Sequence, residues 1–295
     1  MTFWRDGIDP EQDAGDILIT RGDWVDSSRD NRKIPYKLYV PKNTEVELPL
    51  VIWSHGLGGG RDGAGFLSRF IASHGYAVLN IQHLGTDIGL WMGKSGHPWD
   101  AIRATKITDE VKIARFNDVD FVLKQLDSLD APIDTNRLGM SGHSMGAMTT
   151  QVMAGQKFRN KSYKSSAFKA FIAYSHMPCR DDSKAPYADM DQPILLMTGT
   201  EDDSPVDGYD YTARMEVFNQ MPETTAKKAI ILNDGDHMVF AGSRGQLAGY
   251  DKIPLHENII KIASLAWWDY YLKGHKAAKE WLDNDFQRWC AAELA

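Results

Sequence analysis

The sequence predicts an α/β protein with a mostly parallel central sheet, helices on both faces and an antiparallel N-terminal edge. Three observations carry this. Short, solid apolar runs recur along the chain, as strands buried on both faces require. Helix-length segments with three- and four-residue apolar spacing lie between them. Glycine-rich turns follow several runs at the point where a strand would end.

Residues 16–20 and 36–40 are strand-like runs in turn-rich surroundings, and the second alternates polar with apolar as a half-solvated antiparallel strand does. Residues 50–53 are solidly apolar between Pro49 and a glycine cluster. The same pattern returns at 77–81, 138–140, 170–173, 194–197 and 229–232. Residues 66–74 read as a helix ended by Gly75. Residues 108–126 repeat apolar positions at Val111, Ala114, Val119, Val122 and Leu126. Residues 145–153 form a third helix. A fourth, at 257–272 with Ile260, Ile262, Leu265, Trp268 and Leu272 in a stripe, is expected to close the chain.

Composition narrows the class. The 295 residues are 43% hydrophobic and 25% charged, the mixture of a soluble globular protein. No linker, repeat or low-complexity tract divides them, so one domain over residues 1–295 is expected. With 33 Lys+Arg against 40 Asp+Glu the net charge is −7, which disfavours nucleic acid as a partner. No run reaches the ~18 apolar residues of a membrane span. No basic-then-apolar secretion signal follows Met1, so a cytoplasmic location is expected. Cys179 and Cys290 are too few for a disulfide scaffold or zinc cluster. Nothing in the sequence marks an oligomer interface.

The most informative stretch is Leu138-Gly139-Met140-Ser141-Gly142-His143-Ser144-Met145-Gly146. It holds Gly-x-Ser-x-Gly between an apolar strand and a helix-forming run. A serine at such a turn adopts a strained backbone that lifts its hydroxyl out of the sheet. The flanking glycines let strand and helix approach where side chains would collide. The following helix aims N–H groups at the site and favours developing negative charge. A bare Gly-x-Ser-x-Gly also describes a glycine-bounded turn with a capping serine, so Ser144 needs partners.

A serine-first order places the acid after a later strand and the histidine after the last one. The run ending Thr198-Gly199-Thr200 leads into Glu201, Asp202 and Asp203, any of which could be the acid. The run ending Leu232-Asn233-Asp234-Gly235-Asp236 leads into His237. His74, His256 and His275 sit on helical faces or beside lysines, where an exposed or hydrogen-bonded histidine is ordinary. His237 stands where the base is required.

After the run at 50–53 comes Ser54-His55-Gly56-Leu57-Gly58-Gly59-Gly60, a turn that can point a backbone N–H at an acyl oxygen. Leu57 and Met145 are the expected oxyanion donors, worth roughly 3 kcal/mol each. His55 is expected to buttress the loop. Residues 58–63 also satisfy G-x-G-x-x-G, but a dinucleotide site needs an acid about 20 residues on, at the next strand's tip. That strand ends Ile81-Gln82-His83, with no carboxylate. No organic cofactor and no metal are expected.

With these residues in place, the chain resembles the α/β-hydrolase family, more narrowly its dienelactone-hydrolase and platelet-activating-factor-acetylhydrolase-like esterases. The resemblance runs from about Leu50 to His237. It rests on residues 54–59, 141–146, 198–202 and Asp236-His237-Met238-x-Phe240. It implies an acid three residues after Gly199, which selects Asp202, with Asp203 and then Glu201 behind it. Arg115-x-x-Asp118 also looks like the group's pattern, and the resemblance implies a structural ion pair. Dienelactone hydrolase proper uses a cysteine nucleophile, whereas this turn carries Ser144 and both cysteines lie elsewhere. A serine carboxylesterase is therefore implied. The family's lid, where present, follows the sixth strand, and residues 175–190 are too few for a large cap domain.

The connection at 82–108 leaves the ligand-binding edge of the sheet. Its Trp91 and Trp99 either wall an apolar acyl pocket or pack the loop onto the body. His176 and Met177 at another strand's end, and Phe240 beside His237, are expected in the same cleft; neither His83 nor His176 occupies the base position. The expected activity is two-step acyl transfer to water on a small-molecule ester with a small or medium acyl group. A thioesterase or peptidase would use the same triad, and a catalytically silent binding module would keep the fold.

Overall fold

The computed structural model describes residues 2–242 and 253–293. Eight strands form one sheet: β1 (Ile17–Asp26), β2 (Arg32–Pro41), β3 (Leu48–Ser54), β4 (Ala77–Ile81), β5 (Ile133–His143), β6 (Phe168–Tyr174), β7 (Ile194–Glu201) and β8 (Lys227–Asp236). Their order is β1-β2-β4-β3-β5-β6-β7-β8. β1 pairs with β2, and β2 with β4, antiparallel; every later pairing is parallel.

The helices are α1 (Gly65–Ser73), α2 (Pro98–Ala104), α3 (Asp109–Leu123), α4 (Met145–Met153), α5 (Tyr211–Arg214), α6 (Glu216–Gln220), α7 (Pro254–Tyr271), α8 (Lys276–Asn284) and α9 (Phe286–Glu293). All residues of β3 are buried, and they alternate between two cores. Val51 and Trp53 face α1, α7, α8 and α9; Leu50 and Ile52 face α3, α4 and α6. The period-two alternation of a strand thus feeds a core on each face of the sheet. No helix among the described residues is long and apolar enough to cross a membrane.

Three expectations change. The helix at 257–272 does not close the chain, because α8 and α9 follow it and pack Trp281, Phe286 and Trp289 into the core with Phe3 and Trp4. β1 runs on to Asp26 through a stretch that alternates exposed and partly buried positions, and its turn to β2 places Asp30 and Asn31 at positive φ. Arg115 and Asp118 do not pair with each other. Asp118 accepts from Arg29 Nη1 (2.8 Å) and Arg32 Nε (2.7 Å), which latch the hairpin turn to α3. Arg115, also fully buried, donates to Thr149 Oγ1, Thr86 Oγ1, Ser54 Oγ and the His55 carbonyl. One helical turn separates the two residues: Arg115 faces a set of acceptors, and Asp118 faces the donors of Arg29, Arg32 and His83. Burial pushes Arg115 down to about 9.

Candidate active site

The site gathers at the carboxyl ends of β3, β5, β7 and β8. β5 leads into Ser144, whose φ of 55° and ψ of −117° fall in a region that favours glycine. A Cβ on Gly146 would overlap the Ser54 carbonyl, and one on Gly142 would press on the Gly146 carbonyl. The strained turn is held from below by Ser144 N–H, which donates to the Tyr174 carbonyl at 2.9 Å. Helix α4 starts at Met145, so that residue's N–H is one of the unpaired amides of a helix start.

Ser144 Oγ lies 3.0 Å from His237 Nε2, and His237 Nδ1 lies 2.7 Å from Asp202 Oδ1. Asp202 is fully buried while Glu201 and Asp203 on either side are exposed, because alternate residues leave the strand end in opposite directions. Its other oxygen accepts from Thr198 Oγ1 at 2.8 Å. Burial pushes the Asp202 carboxyl up, but Arg214, His237 and Thr198 outweigh this and hold it below the ordinary carboxylate value. His237 follows β8 directly, and Asp236 Oδ1 accepts from the Met238 and Val239 N–H groups to shape the turn after it.

Two side chains that sequence reasoning did not single out touch this group. His143 Nε2–H donates to the His237 carbonyl at 2.7 Å. Burial, then the neighbouring His237, pushes His143 down to about 3, so it stays neutral. Its place inside Gly-x-Ser-x-Gly was the available signal. Arg214 in α5 is fully buried and reaches Asp202 Oδ1 at 2.9 Å. Its Nε donates to the Asp202 carbonyl, and its Nη1 to the carbonyls of Ser175 and His176. No sequence motif pointed to it.

Leu57 occupies the loop after β3 and faces the same space as Met145. Underneath, His83 N–H donates to His55 Nε2 at 2.9 Å, so His55 Nδ1–H donates to the Gly56 carbonyl at 2.6 Å. His83 is fully buried and held down to about 4 by burial and then Arg115. It bonds Asp118 and Ser54, away from Ser144.

Ser144 and His237 open into a cavity of about 610 Å3. Trp91, Trp99, Met148 and Met177 line it, as do Leu57 and Met145. Trp91 Nε1 donates to the Gly58 carbonyl at 2.7 Å, and Arg103 Nε to the Pro205 carbonyl at 3.1 Å. The connection after β4 therefore roofs the cavity and is tied at both sides. His176 and Phe240, expected in the same cleft, do not line it. His176 is drawn under the sheet's end, with Nδ1 3.4 Å from the Met197 carbonyl, and Phe240 is buried in the core 5.9 Å from the Tyr174 ring. The segment 204–207 and Tyr209 contribute to the wall instead. Residues 58–63, which fit the dinucleotide pattern, face this cavity beside Ser144. Among the described residues no group of three or more His, Cys, Asp or Glu is placed to hold a metal ion.

No curated protein sequence matches the chain. The family model for platelet-activating factor acetylhydrolase, isoform II, matches residues 25–87, which carry the Leu57 loop. A ferulic acid esterase from Streptomyces cinnamoneus superposes with a TM-score of 0.66 at 18% identity, over 88% of this chain and 90% of that one. A predicted dienelactone hydrolase from Klebsiella pneumoniae superposes with a TM-score of 0.60 at 18% identity, over 86% of this chain and 100% of that one. The chain thus has the α/β-hydrolase fold, and over residues 25–87 it is similar to the isoform II platelet-activating factor acetylhydrolases.

Proposed function

We propose that this protein is a serine carboxylic-ester hydrolase acting on small or medium acyl esters. The observation that carries it is the unbroken hydrogen-bond chain from Ser144 Oγ through His237 to Asp202, opening on a largely apolar cavity. The esterase and hydrolase neighbours and the acetylhydrolase-like segment agree with it.

In this mechanism His237 Nε2 takes the Ser144 proton as Oγ attacks the ester carbonyl carbon. The carbonyl oxygen becomes an oxyanion that accepts from the N–H groups of Leu57 and Met145. Collapse breaks the bond to the alcohol oxygen, which leaves with the proton from His237. Water repeats the sequence on the acyl-enzyme, and the acid departs from Ser144. Asp202 keeps Nδ1 protonated, so that Nε2 faces the serine as a base.

The test is hydrolysis of p-nitrophenyl acetate, butyrate, octanoate and palmitate by wild type and Ser144→Ala, with an acyl thioester and an aminoacyl amide beside them. A wild-type rate abolished in the variant is expected, falling off toward the longest chain. Equal rates in the two proteins would sink the assignment, and faster turnover of the thioester or amide would reassign the leaving group.

A further inference from the structure

Arg214 is a fully buried cation set against the acid of the proposed triad, and orientation of His237 by Asp202 alone does not call for it. Its guanidinium makes four backbone or side-chain bonds at once. Nε holds the Asp202 carbonyl at 2.8 Å, and Nη1 holds the Ser175 and His176 carbonyls at 2.9 and 3.0 Å. Nη2 meets Asp202 Oδ1 at 2.9 Å and stands 3.1 Å from His237 Nδ1. Ser175, one of the carbonyls it holds, sits at a φ of 48°. The Tyr209 ring, itself on the cavity wall, lies 5.0 Å from the guanidinium carbon.

Hydrogen-bond chemistry assigns these contacts. His237 Nδ1 is 2.7 Å from Asp202 Oδ1, so its proton lies on that line. Arg214 carries only donors, and it therefore donates to Oδ1 and merely stands beside Nδ1. Asp202 Oδ1 thus receives two donors, and Thr198 fixes Oδ2.

We infer that Arg214 is a positioning residue that fixes the Asp202 carboxylate in one orientation and sets the charge balance against which His237 takes its proton. This rests on the ester-hydrolase reading of Ser144, Asp202 and His237. The charges decide what the guanidinium does. At rest, Arg214, Asp202 and neutral His237 sum to zero. When His237 accepts the serine proton, the trio gains one positive charge, and the oxyanion near Leu57 and Met145 carries the balancing negative one. Without Arg214 the imidazolium would be balanced by Asp202 alone. The arrangement ties proton acceptance at His237 to a filled oxyanion site, and it keeps a buried carboxylate ionised. A purely structural arginine would need only the three carbonyls.

Among the described residues, the titratable or charged groups around His237 come from the ends of four strands and from the segment at 209–214. They are Asp202 from β7, Arg214 from α5, His143 from β5, His176 from β6, the adjacent Asp236 of β8, and Tyr209 beyond the guanidinium. Burial, and then His237 and Arg214 respectively, hold His143 down to about 3 and His176 to about 4, so neither carries charge in the working range. Among the described residues, Arg214 and the two carboxylates then set the field there.

The test compares Arg214→Lys and Arg214→Met with wild type in the pH profile of p-nitrophenyl butyrate hydrolysis. Loss of the cation favours the imidazolium, so in Arg214→Met the acid limb should move to higher pH by about one unit. Its kcat at the plateau should fall at least about tenfold with KM within about threefold, the signature of lost orientation. Arg214→Lys keeps the charge and loses the fork, so its acid limb should stay while kcat falls. A limb that stays put in Arg214→Met, or a wild-type kcat in either variant, overturns the proposal. If Arg214→Met does not fold, a wild-type kcat in Arg214→Lys overturns it and a lowered kcat with an unmoved limb supports it. An inactive wild type would instead overturn the ester-hydrolase reading, independently of either variant.

Discussion

The carbonyl oxygen of His237 accepts a 2.7 Å hydrogen bond from Nε2 of His143, and the two rings stand 4.8 Å apart at 48°. A residue of the nucleophile turn therefore holds the backbone of the candidate base. Replacing His143 with Phe keeps a ring there and removes the donor. The His237 carbonyl is then buried without that partner, which destabilises by about 1–3 kcal/mol. We expect a lower urea midpoint and a reduced kcat for His143→Phe. Unchanged values of both would show that the contact is incidental.

Stability should fall as the medium is made mildly acidic, because several histidines are buried in neutral form. Burial comes first in every case and a neighbouring positive or titratable group second. His74, His83 and His176 are held to about 4, His143 to about 3, and His55 well below the ordinary histidine value. Each folded value lies below 6.5, so the unfolded chain binds protons that the folded chain refuses. The loss therefore begins as pH drops through about 6.5 and continues toward 4, at about 1 kcal/mol per pH unit for each histidine. Urea melts at pH 7.5, 6 and 5 should show a progressively lower midpoint, and a flat profile over that window would contradict it.

Asp202→Asn is close to isosteric, yet it lets a side-chain amide face His237 Nδ1 and favours the wrong tautomer. By analogy with serine hydrolases that use the same three residue types, kcat should drop by about 10⁴. The thermal midpoint and circular dichroism decide whether any loss is chemical or merely unfolding. A kcat within tenfold of wild type would remove Asp202 from the proposed triad.

The two tryptophans of the roof should separate kinetically. Trp91 is bonded to the Gly58 carbonyl beside Leu57, so Trp91→Phe should lower kcat for every acyl length alike. Trp99 lines the cavity, and its indole N–H is not what ties the roof. Trp99→Ala should therefore shift the optimum toward longer acyl chains. Identical chain-length profiles in wild type and Trp99→Ala would place that ring outside the acyl path.

Solid apolar runs made β3 to β8 legible, because a largely parallel sheet covered on both faces keeps the middle of each strand apolar, whereas β1 and β2 showed only as shorter strand-like runs. The outer half of β1 was not legible, since Arg21-Gly22-Asp23-Trp24-Val25-Asp26 is mostly polar, exposes every other residue and pairs through its backbone. α5 and α6 are too short for a periodic signal, and α8 and α9 are held by partners such as Phe3 and Trp4 at the far end of the sequence. In the site, positions fixed by a turn at a strand's end could be read: Ser144, His237 and the acidic cluster at 201–203. Arg214 could not, because only the folding of α5 beneath β7 brings it to Asp202, twelve residues earlier in the chain. His176 follows the end of β6 and Phe240 lies close to His237 in sequence, but local packing turns both away from the cavity.

The backbone of Ser144 sets its proposed reactivity against durability. At a φ of 55° the residue sits where glycine is comfortable and any side chain is strained, by about 1–3 kcal/mol. Ser144→Gly and Ser144→Ala both lack the hydroxyl, and the glycine variant should melt at the higher temperature, by several degrees. Equal melting temperatures would mean that the turn relaxes around its side chain. If the difference holds, drift toward a more stable protein would tend to erase this serine, and only its proposed role as nucleophile would keep it in place.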